Sequence, residues 1–171
     1  MAKITHIESN AYQIPLPVVL SDSTHGSIPH FELVTATITD ADGVSGTGYT
    51  YTVGCGGVAI NQLIERYLTL VLLGEDAACI EQLWQKLWWA SHYGGRGGLT
   101  SLAISALDIA LWDLASKRAE LPLWQYLGGY NPEVPCYAGG IDLQFTLNEL
   151  FAQADSFLEQ GFRAIKMKAG R

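Results

Sequence analysis

Cysteine is scarce in this sequence, and the three that are present, Cys55, Cys79 and Cys136, lie far apart. An odd number of widely spaced cysteines fits neither a disulfide framework nor a zinc site, whose ligands recur at short spacings. Small secreted domains commonly depend on disulfides, whereas proteins of reducing compartments do not. We therefore expect a cytoplasmic protein.

Basic residues are also few: 10 lysines and arginines stand against 17 aspartates and glutamates, which gives a formal net charge of −7. A surface of this sign repels nucleic-acid phosphates and anionic lipid headgroups. Long apolar runs are missing too, since the stretch 67–73 is far shorter than the roughly 20 residues of a membrane span. Pro15 and Pro17 interrupt the only early apolar run, which argues against a signal peptide. We expect neither nucleic acid nor membrane as a partner.

Strand-like segments dominate the first part of the chain. Alternating Thr, Tyr and aliphatic residues predict three strands of an antiparallel meander over 4–14, 31–39 and 44–51. The glycines between Gly43 and Gly48 look like a nucleotide-binding loop, but their spacing is reversed and a strand follows them. This pattern favours a tight hairpin.

Helix-like segments come next. Apolar residues recur at helical spacing and predict helices over 58–73, 78–89 and 99–117. Strands followed by helices indicate an α+β domain.

The order changes to strand, helix, strand after residue 130. Residues 134–138 predict a short strand, and Thr146 followed three residues later by Glu149 predicts the capped start of a helix. A second strand carries Lys166 and Lys168. Tight connections of this kind indicate two parallel strands joined by a right-handed crossover.

The two lysines are separated by one residue, so on a strand both amines project to the same side. Two ammonium groups about 6 to 7 Å apart repel each other by roughly 2 to 3 kcal/mol at an effective dielectric near 20. This repulsion favours loss of a proton from one of them. One lysine becomes a candidate general base while its neighbour remains a cation for an anionic substrate. An isolated Lys-x-Lys is more often a solvated edge strand, but the strand-helix-strand context favours a site.

Two further motifs carry a family resemblance. The segments 103–117, AISALDIALWDLASK, and 121–129, LPLWQYLGG, are similar to the capping-domain signature of the mandelate racemase and muconate lactonizing branch of the enolase superfamily. The lysine pair matches the Lys-x-Lys of that family in order and spacing. Ser116 and Tyr126 depart from the residues usual there.

The resemblance implies an α+β capping domain, an antiparallel three-stranded meander plus a helical bundle, over residues 1–130. The first βαβ unit of an incomplete (β/α)8-type barrel follows over 131–171. Because a complete barrel needs about 250 residues, we expect this chain to be the N-terminal part of a longer enzyme and to be inactive alone.

The family's chemistry is abstraction of the proton α to a substrate carboxylate. By position, the resemblance implies that Lys168 is the base and that Lys166 helps to hold the carboxylate. It also implies Mg²⁺, bound by acidic residues on the third, fourth and fifth barrel strands, beyond Arg171. No metal ligand is expected in this chain.

Two segments of the cap are candidates for substrate binding. Residues 17–31, which include His25, predict a polar loop between strands, and residues 49–57, which include Tyr51, lead from a strand into a helix. In the resembled family such loops close over the barrel and select the substrate. The alternatives are an ordinary exposed loop histidine and a tyrosine of the cap core.

The leading functional hypothesis is a dehydratase of acid sugars, because cap loops rich in Ser, Thr, His and Tyr suit a polyhydroxylated carboxylate substrate. A racemase or epimerase of a 2-hydroxy acid shares the same first step. A non-catalytic remnant that serves as a binding or assembly module is the hypothesis from another class. We expect the full-length protein to form a homo-oligomer.

Overall fold

The computed structural model describes residues 2–140 and 142–168. The chain forms two compact units. The first consists of the residues up to Ile14 together with Glu32–Tyr130, and the second consists of Pro15–Phe31 together with the residues from Asn131 onward.

A three-stranded sheet carries strands β1 (Ile4–Asp22), β2 (Gly26–Asp40) and β3 (Ser45–Thr52) in the order β1-β2-β3. β2 and β3 are antiparallel, with Leu33 opposite Tyr51. The predicted meander is confirmed. β1 and β2 are longer than expected.

The prediction of a loop over 17–31 is wrong. Within that range only 23–25 lie between β1 and β2, and the rest is strand. Pro17 lies on β1, which is an edge strand, and prolines in sheets occur on edge strands. Pro29 lies on the central strand, but β3 pairs only with residues 32–39 of that strand, so Pro29 has one open side. The segment is therefore an extended hairpin.

Helices follow the sheet in the first unit. A continuous helical stretch consists of α1 (Gly57–Leu63), a π-helical segment (Ile64–Leu68) and α2 (Thr69–Leu72). The others are α3 (Ile80–Ala90), α4 (Leu99–Arg118) and the short α5 (Leu123–Tyr126). The three predicted helices are present, whereas the π-helical turn and α5 were not predicted.

The core of this unit lies between the sheet and the helices. β2 buries alternate residues, Val34, Ala36 and Ile38, as a strand with one covered face must. β3 turns Gly46 and Gly48 toward α4, and a Cβ at either position would come within 2.1 Å of an α4 backbone oxygen. The helix thus packs directly on the backbone of the strand.

α4 supplies more buried residues to the core than any other helix. Eight of its residues are buried: Ala103, Ile104, Ala106, Leu107, Ala110, Leu111, Leu114 and Ser116. Its length and composition would also suit a membrane span, but 44% of its most apolar stretch is buried inside the structure. That burial is what the core helix of a globular domain shows.

A buried ion pair joins the last turn of α4 to the β2–β3 turn. The Asp40 side chain is fully buried and accepts hydrogen bonds from Arg118 and from the backbone N–H groups of Asp42 and Val44. Burial alone would raise the pKa of Asp40, but these hydrogen bonds outweigh it and hold the pKa below its usual range. The carboxylate therefore stays charged and closes the turn.

The second unit contains β4 (Ala138–Gly139), α6 (Leu147–Glu159) and β5 (Ile165–Lys166). β4 and β5 are parallel, with Ala138 opposite Ile165, so the predicted strand-helix-strand order is confirmed. Both strands are shorter than expected, since residues 134–137 lie outside β4 and Lys168 lies outside β5.

The predicted start of α6 is confirmed in detail. The Thr146 hydroxyl oxygen accepts the Glu149 N–H, and the Glu149 carboxylate accepts the Thr146 N–H at 2.7 Å. These hydrogen bonds lower the pKa of Glu149. No described residue of α6 is buried, and its apolar side chains Leu147, Phe151 and Leu158 are exposed.

Candidate functional site

The lysine pair lies at the carboxyl end of the two parallel strands. Lys166 is the last residue of β5, and its carbonyl accepts the Gly140 N–H at 2.8 Å. Lys168 follows two residues later, and both lysines are exposed. The backbone ladder ends at Lys166. The projection of both amines to the same side stays a prediction, because Lys168 lies outside β5.

A buried carboxylate continues the ladder where the backbone stops. The Lys168 N–H donates to Asp142 Oδ1 at 3.4 Å, and Asp142 is only 2% exposed. Asp142 Oδ2 has no hydrogen-bond partner among the described residues. No local sequence pattern predicts this contact, because the two residues are 26 positions apart.

The tip of the β1–β2 hairpin belongs to the same unit as the lysines. Gln144, just after β4, donates its Nε2 to the Val19 carbonyl at 2.7 Å, and Ser21 forms a parallel β-bridge with Asp142. Beside this junction lies a cleft of about 450 Å³, lined by Ser21, Asp22, Ser23, Leu143 and Gln144. The hairpin tip and the end of β4 therefore share one polar cleft.

His25 sits in the hairpin turn and is fixed by a carboxylate that the sequence reasoning missed. Its Nδ1 lies 2.9 Å from Asp22 Oδ2, and its backbone N–H donates to Asp22 Oδ1 at 2.6 Å. An Asp followed by polar residues in a turn is the available signal for such a contact. Because Nδ1 is engaged, Nε2 is the ring's remaining polar atom, and half of the side chain is exposed.

These hydrogen bonds give the turn a predicted pH dependence. The backbone N–H of His25, followed by its ring, lowers the pKa of Asp22 from 3.8 to about 2. A depressed pKa stabilises the folded turn above pH 3.8, and this stabilisation is lost as the pH falls through about 2. A carbon-13 NMR titration of the Asp22 carboxyl group should show that low midpoint. A midpoint near 3.8 in the folded chain would contradict the contact.

Tyr51 belongs to the first unit. It lies on β3 in the first unit, with its side chain on the face of the sheet opposite to Gly48 and Thr50, and it is 58% exposed. The alternative that Tyr51 is a cap-core residue is therefore wrong. Alternation along the strand explains this, since its neighbour Thr50 takes the buried side.

The described residues do not fit a metal ion. Across 2–140 and 142–168, no three His, Cys, Asp or Glu side chains are grouped so as to hold one. Magnesium is bound in proteins by carboxylates and other oxygen ligands arranged around a common centre. The groups this part of the chain offers to chemistry are its lysine pair, the Asp142 carboxylate and the Asp22–His25 pair.

Comparison with known proteins shows the family of this chain. Residues 3–128 match the family model described as the mandelate racemase / muconate lactonizing enzyme N-terminal domain. The chain is 55% identical, over 98% of its length, to a 3,6-anhydro-alpha-L-galactonate cycloisomerase of Streptomyces coelicolor. It is 34% identical, over 92% of its length, to the L-talarate/galactarate dehydratase of Salmonella typhimurium. It covers 46% and 41% of these relatives, so it spans less than half of their length.

Solved structures show the same backbone. A Streptomyces coelicolor structure described as a racemase with bound magnesium superimposes with a TM-score of 0.96 at 55% identity, covering 98% of this chain and 47% of that one. The Salmonella typhimurium dehydratase, solved with Mg and L-lyxarohydroxamate, gives a TM-score of 0.92 at 32% identity, covering 99% and 44%. The resemblance seen in the sequence is confirmed: this chain belongs to the mandelate racemase / muconate lactonizing enzyme family of the enolase superfamily, and residues 3–128 are its N-terminal domain.

Proposed function

We propose that the full-length protein containing this chain removes the proton α to the carboxylate of an acid sugar and then eliminates the oxygen at C3. The observation that carries the proposal is the lysine pair at the carboxyl end of β5, in the same unit as the polar hairpin tip. Relatives that act on acid sugars support the substrate class. This chain alone is inactive, because it spans less than half of those relatives.

Each lysine has a separate task in this proposal. Lys168, as a neutral amine, takes the proton from C2 onto Nζ, and the C–H electron pair moves toward the carboxylate to form an enolate. Lys166 remains an ammonium and binds the carboxylate, where its charge opposes the negative charge that develops. Asp142 holds the Lys168 backbone N–H. Structures of relatives contain magnesium, and in our proposal the full-length protein binds it through residues that follow Arg171.

The hairpin tip supplies specificity. Asp22 fixes the His25 ring through Nδ1, so Nε2 is the atom that can meet a hydroxyl of the substrate. Tyr51 also stays a proposed substrate-binding residue, with its exposed side chain as support. Hydroxyl-bearing ligands suit such groups because an analogue lacking the hydroxyl leaves them unpaired.

The oxygen at C3 decides which product forms. If it is a hydroxyl, it takes up a proton as its bond to C3 breaks and leaves as water, and the reaction is the dehydration that the sequence favours. If it belongs to a 3,6-anhydro ring, the same elimination opens the ring and gives an isomer. The cycloisomerase at 55% identity is the specific observation that favours ring opening as a second candidate. Reprotonation of C2 without elimination would be racemisation. The Streptomyces structure described as a racemase is the reason to retain racemisation as a further candidate.

A panel of acid sugars tests these alternatives. The full-length protein is incubated with magnesium and with aldonates, aldarates and 3,6-anhydro-aldonates, and products are followed by NMR and mass. We expect a 2-keto-3-deoxy acid, formed with loss of water from the linear acids and without loss of mass from the anhydro acids. Epimers without keto acid would replace elimination with racemisation. No conversion of any member would favour a non-catalytic binding module.

A further inference from the structure

Asp142 Oδ2 is the one buried side-chain nitrogen or oxygen atom in the described residues that lacks a hydrogen-bond partner. The Asp142 side chain is fully buried, and its Oδ2 accepts no hydrogen bond there. An unpaired carboxylate oxygen in the interior costs free energy, because it has lost water and gained nothing. Such an atom calls for a donor close by.

The Gln153 amide on α6 lies near Asp142 Oδ2 and carries an NH₂ group that can donate. A Cβ added at Gly140 would meet Asp142 Oδ2 at 2.3 Å and Gln153 Oε1 at 2.7 Å, so the two oxygens lie within about 5 Å of each other. Rotation of the amide by 180° puts its NH₂ group where Oε1 lies and turns two facing acceptors into a donor and an acceptor. Glycine at 140 leaves the space in which the two side chains approach.

The other carboxylate oxygen acts on the lysine strand. The β4–β5 ladder runs through the Ala138 N–H to Ala164 and the Gly140 N–H to Lys166, both backbone pairs. At Lys168 the acceptor is the Asp142 side chain instead. Movement of this carboxylate therefore moves the backbone from which the Lys168 amine extends.

We propose that Asp142 is a positioning residue for Lys168, held in turn by Gln153, so that a Gln153–Asp142–Lys168 chain of hydrogen bonds fixes the base against α6. The inference rests on the proposed function, in which Lys168 takes the proton. The Asp142 carboxylate does not touch substrate in this arrangement, because it is buried. Its effect falls on the geometry of proton transfer, where a shift of about 1 Å can cost on the order of 10²-fold in rate.

Four variants of the full-length enzyme test the chain. Asp142→Ala removes the acceptor of the Lys168 N–H, and we expect kcat to fall about 10- to 100-fold with little change in KM. Asp142→Asn keeps an acceptor at Oδ1 and offers an NH₂ to Gln153 Oε1, so it should recover most of that loss. Gln153→Leu should lower kcat less than Asp142→Ala. Gln160→Leu, at the C-terminal end of α6, is the control and should leave kcat unchanged.

Hydrogen exchange keeps the test decisive if Asp142→Ala is poorly active for other reasons. In a peptide containing Lys168, amide exchange followed by mass spectrometry should be faster in Asp142→Ala than in the wild type, and slow again in Asp142→Asn. If Asp142→Ala kept the wild-type kcat and the wild-type exchange rate, the inference about Asp142 would be overturned, while the proposed function would stand. Full activity in Lys168→Ala would overturn the proposed function instead, whatever Asp142 does.

Discussion

Replacing Lys168 by alanine in the full-length enzyme is expected to lower kcat by about 10²- to 10⁴-fold, the usual contribution of a general base. The reason is that the C2 proton then has no acceptor, while the carboxylate-binding cation at Lys166 remains. KM should change little, because the substrate is still held. Steady-state kinetics with the acid sugar that the panel identifies provides the measurement.

Three variants separate the role of a base from the role of a charge. Lys168→Arg keeps a cation that does not deprotonate in proteins, so it should be as inactive as Lys168→Ala. Lys166→Ala should raise KM more than it lowers kcat, because it removes the partner of the carboxylate. Lys86→Ala, on α3 in the first unit, is the matched control and should behave as wild type. An active Lys168→Arg enzyme would mean that Lys168 serves as a charge only.

Replacing Gly48 by alanine is expected to destabilise the first unit by about 3 kcal/mol or more, at or above the usual upper range for overpacking. The added Cβ would lie 2.0 Å from the Ala106 carbonyl oxygen and 2.5 Å from the Ala110 backbone nitrogen. These are backbone atoms of α4, which move only if the whole helix moves off the sheet. Urea unfolding of the 171-residue chain, followed by tryptophan fluorescence, measures the change.

Gly94→Ala provides the comparison for Gly48. A Cβ at Gly94 meets nothing within 4 Å, and its φ lies outside the left-handed region. Substitution there should change the free energy of unfolding by less than about 1 kcal/mol. Equal midpoints for the two variants would show that α4 does not rest on the β3 backbone.

The parts of the fold that follow from local sequence were predictable. α3 and α4 were predicted from apolar residues at helical spacing, and the start of α6 was predicted from Thr146 and Glu149, whose side chains act within four residues of each other. The hairpin over 17–31 was not, because its prolines suggest a loop until pairing with β2 is known. Pairing between strands is a tertiary effect that overrides local preference.

The candidate site divides in the same way. The lysine pair is visible in the sequence, since Lys166 and Lys168 are two residues apart and follow a helix closely. Asp142 is not, because its contact with Lys168 spans 26 residues and depends on where β4 ends. The outward position of Tyr51 likewise depends on which face of β3 meets α4. Both features depend on how distant segments pack together. The spacing of residues along the sequence does not predict that packing.

Release of label from C2 is the most direct test that Lys168 is the base. The acid sugar that the panel identifies is prepared with deuterium at C2, and the full-length enzyme is incubated with it in ordinary water. Wild type should release deuterium to solvent from the substrate pool and in forming product, whether the final step is dehydration, ring opening or racemisation. Lys168→Ala should release it at least about 100-fold more slowly than the wild type. Release by Lys168→Ala at the wild-type rate would contradict the assignment of the base.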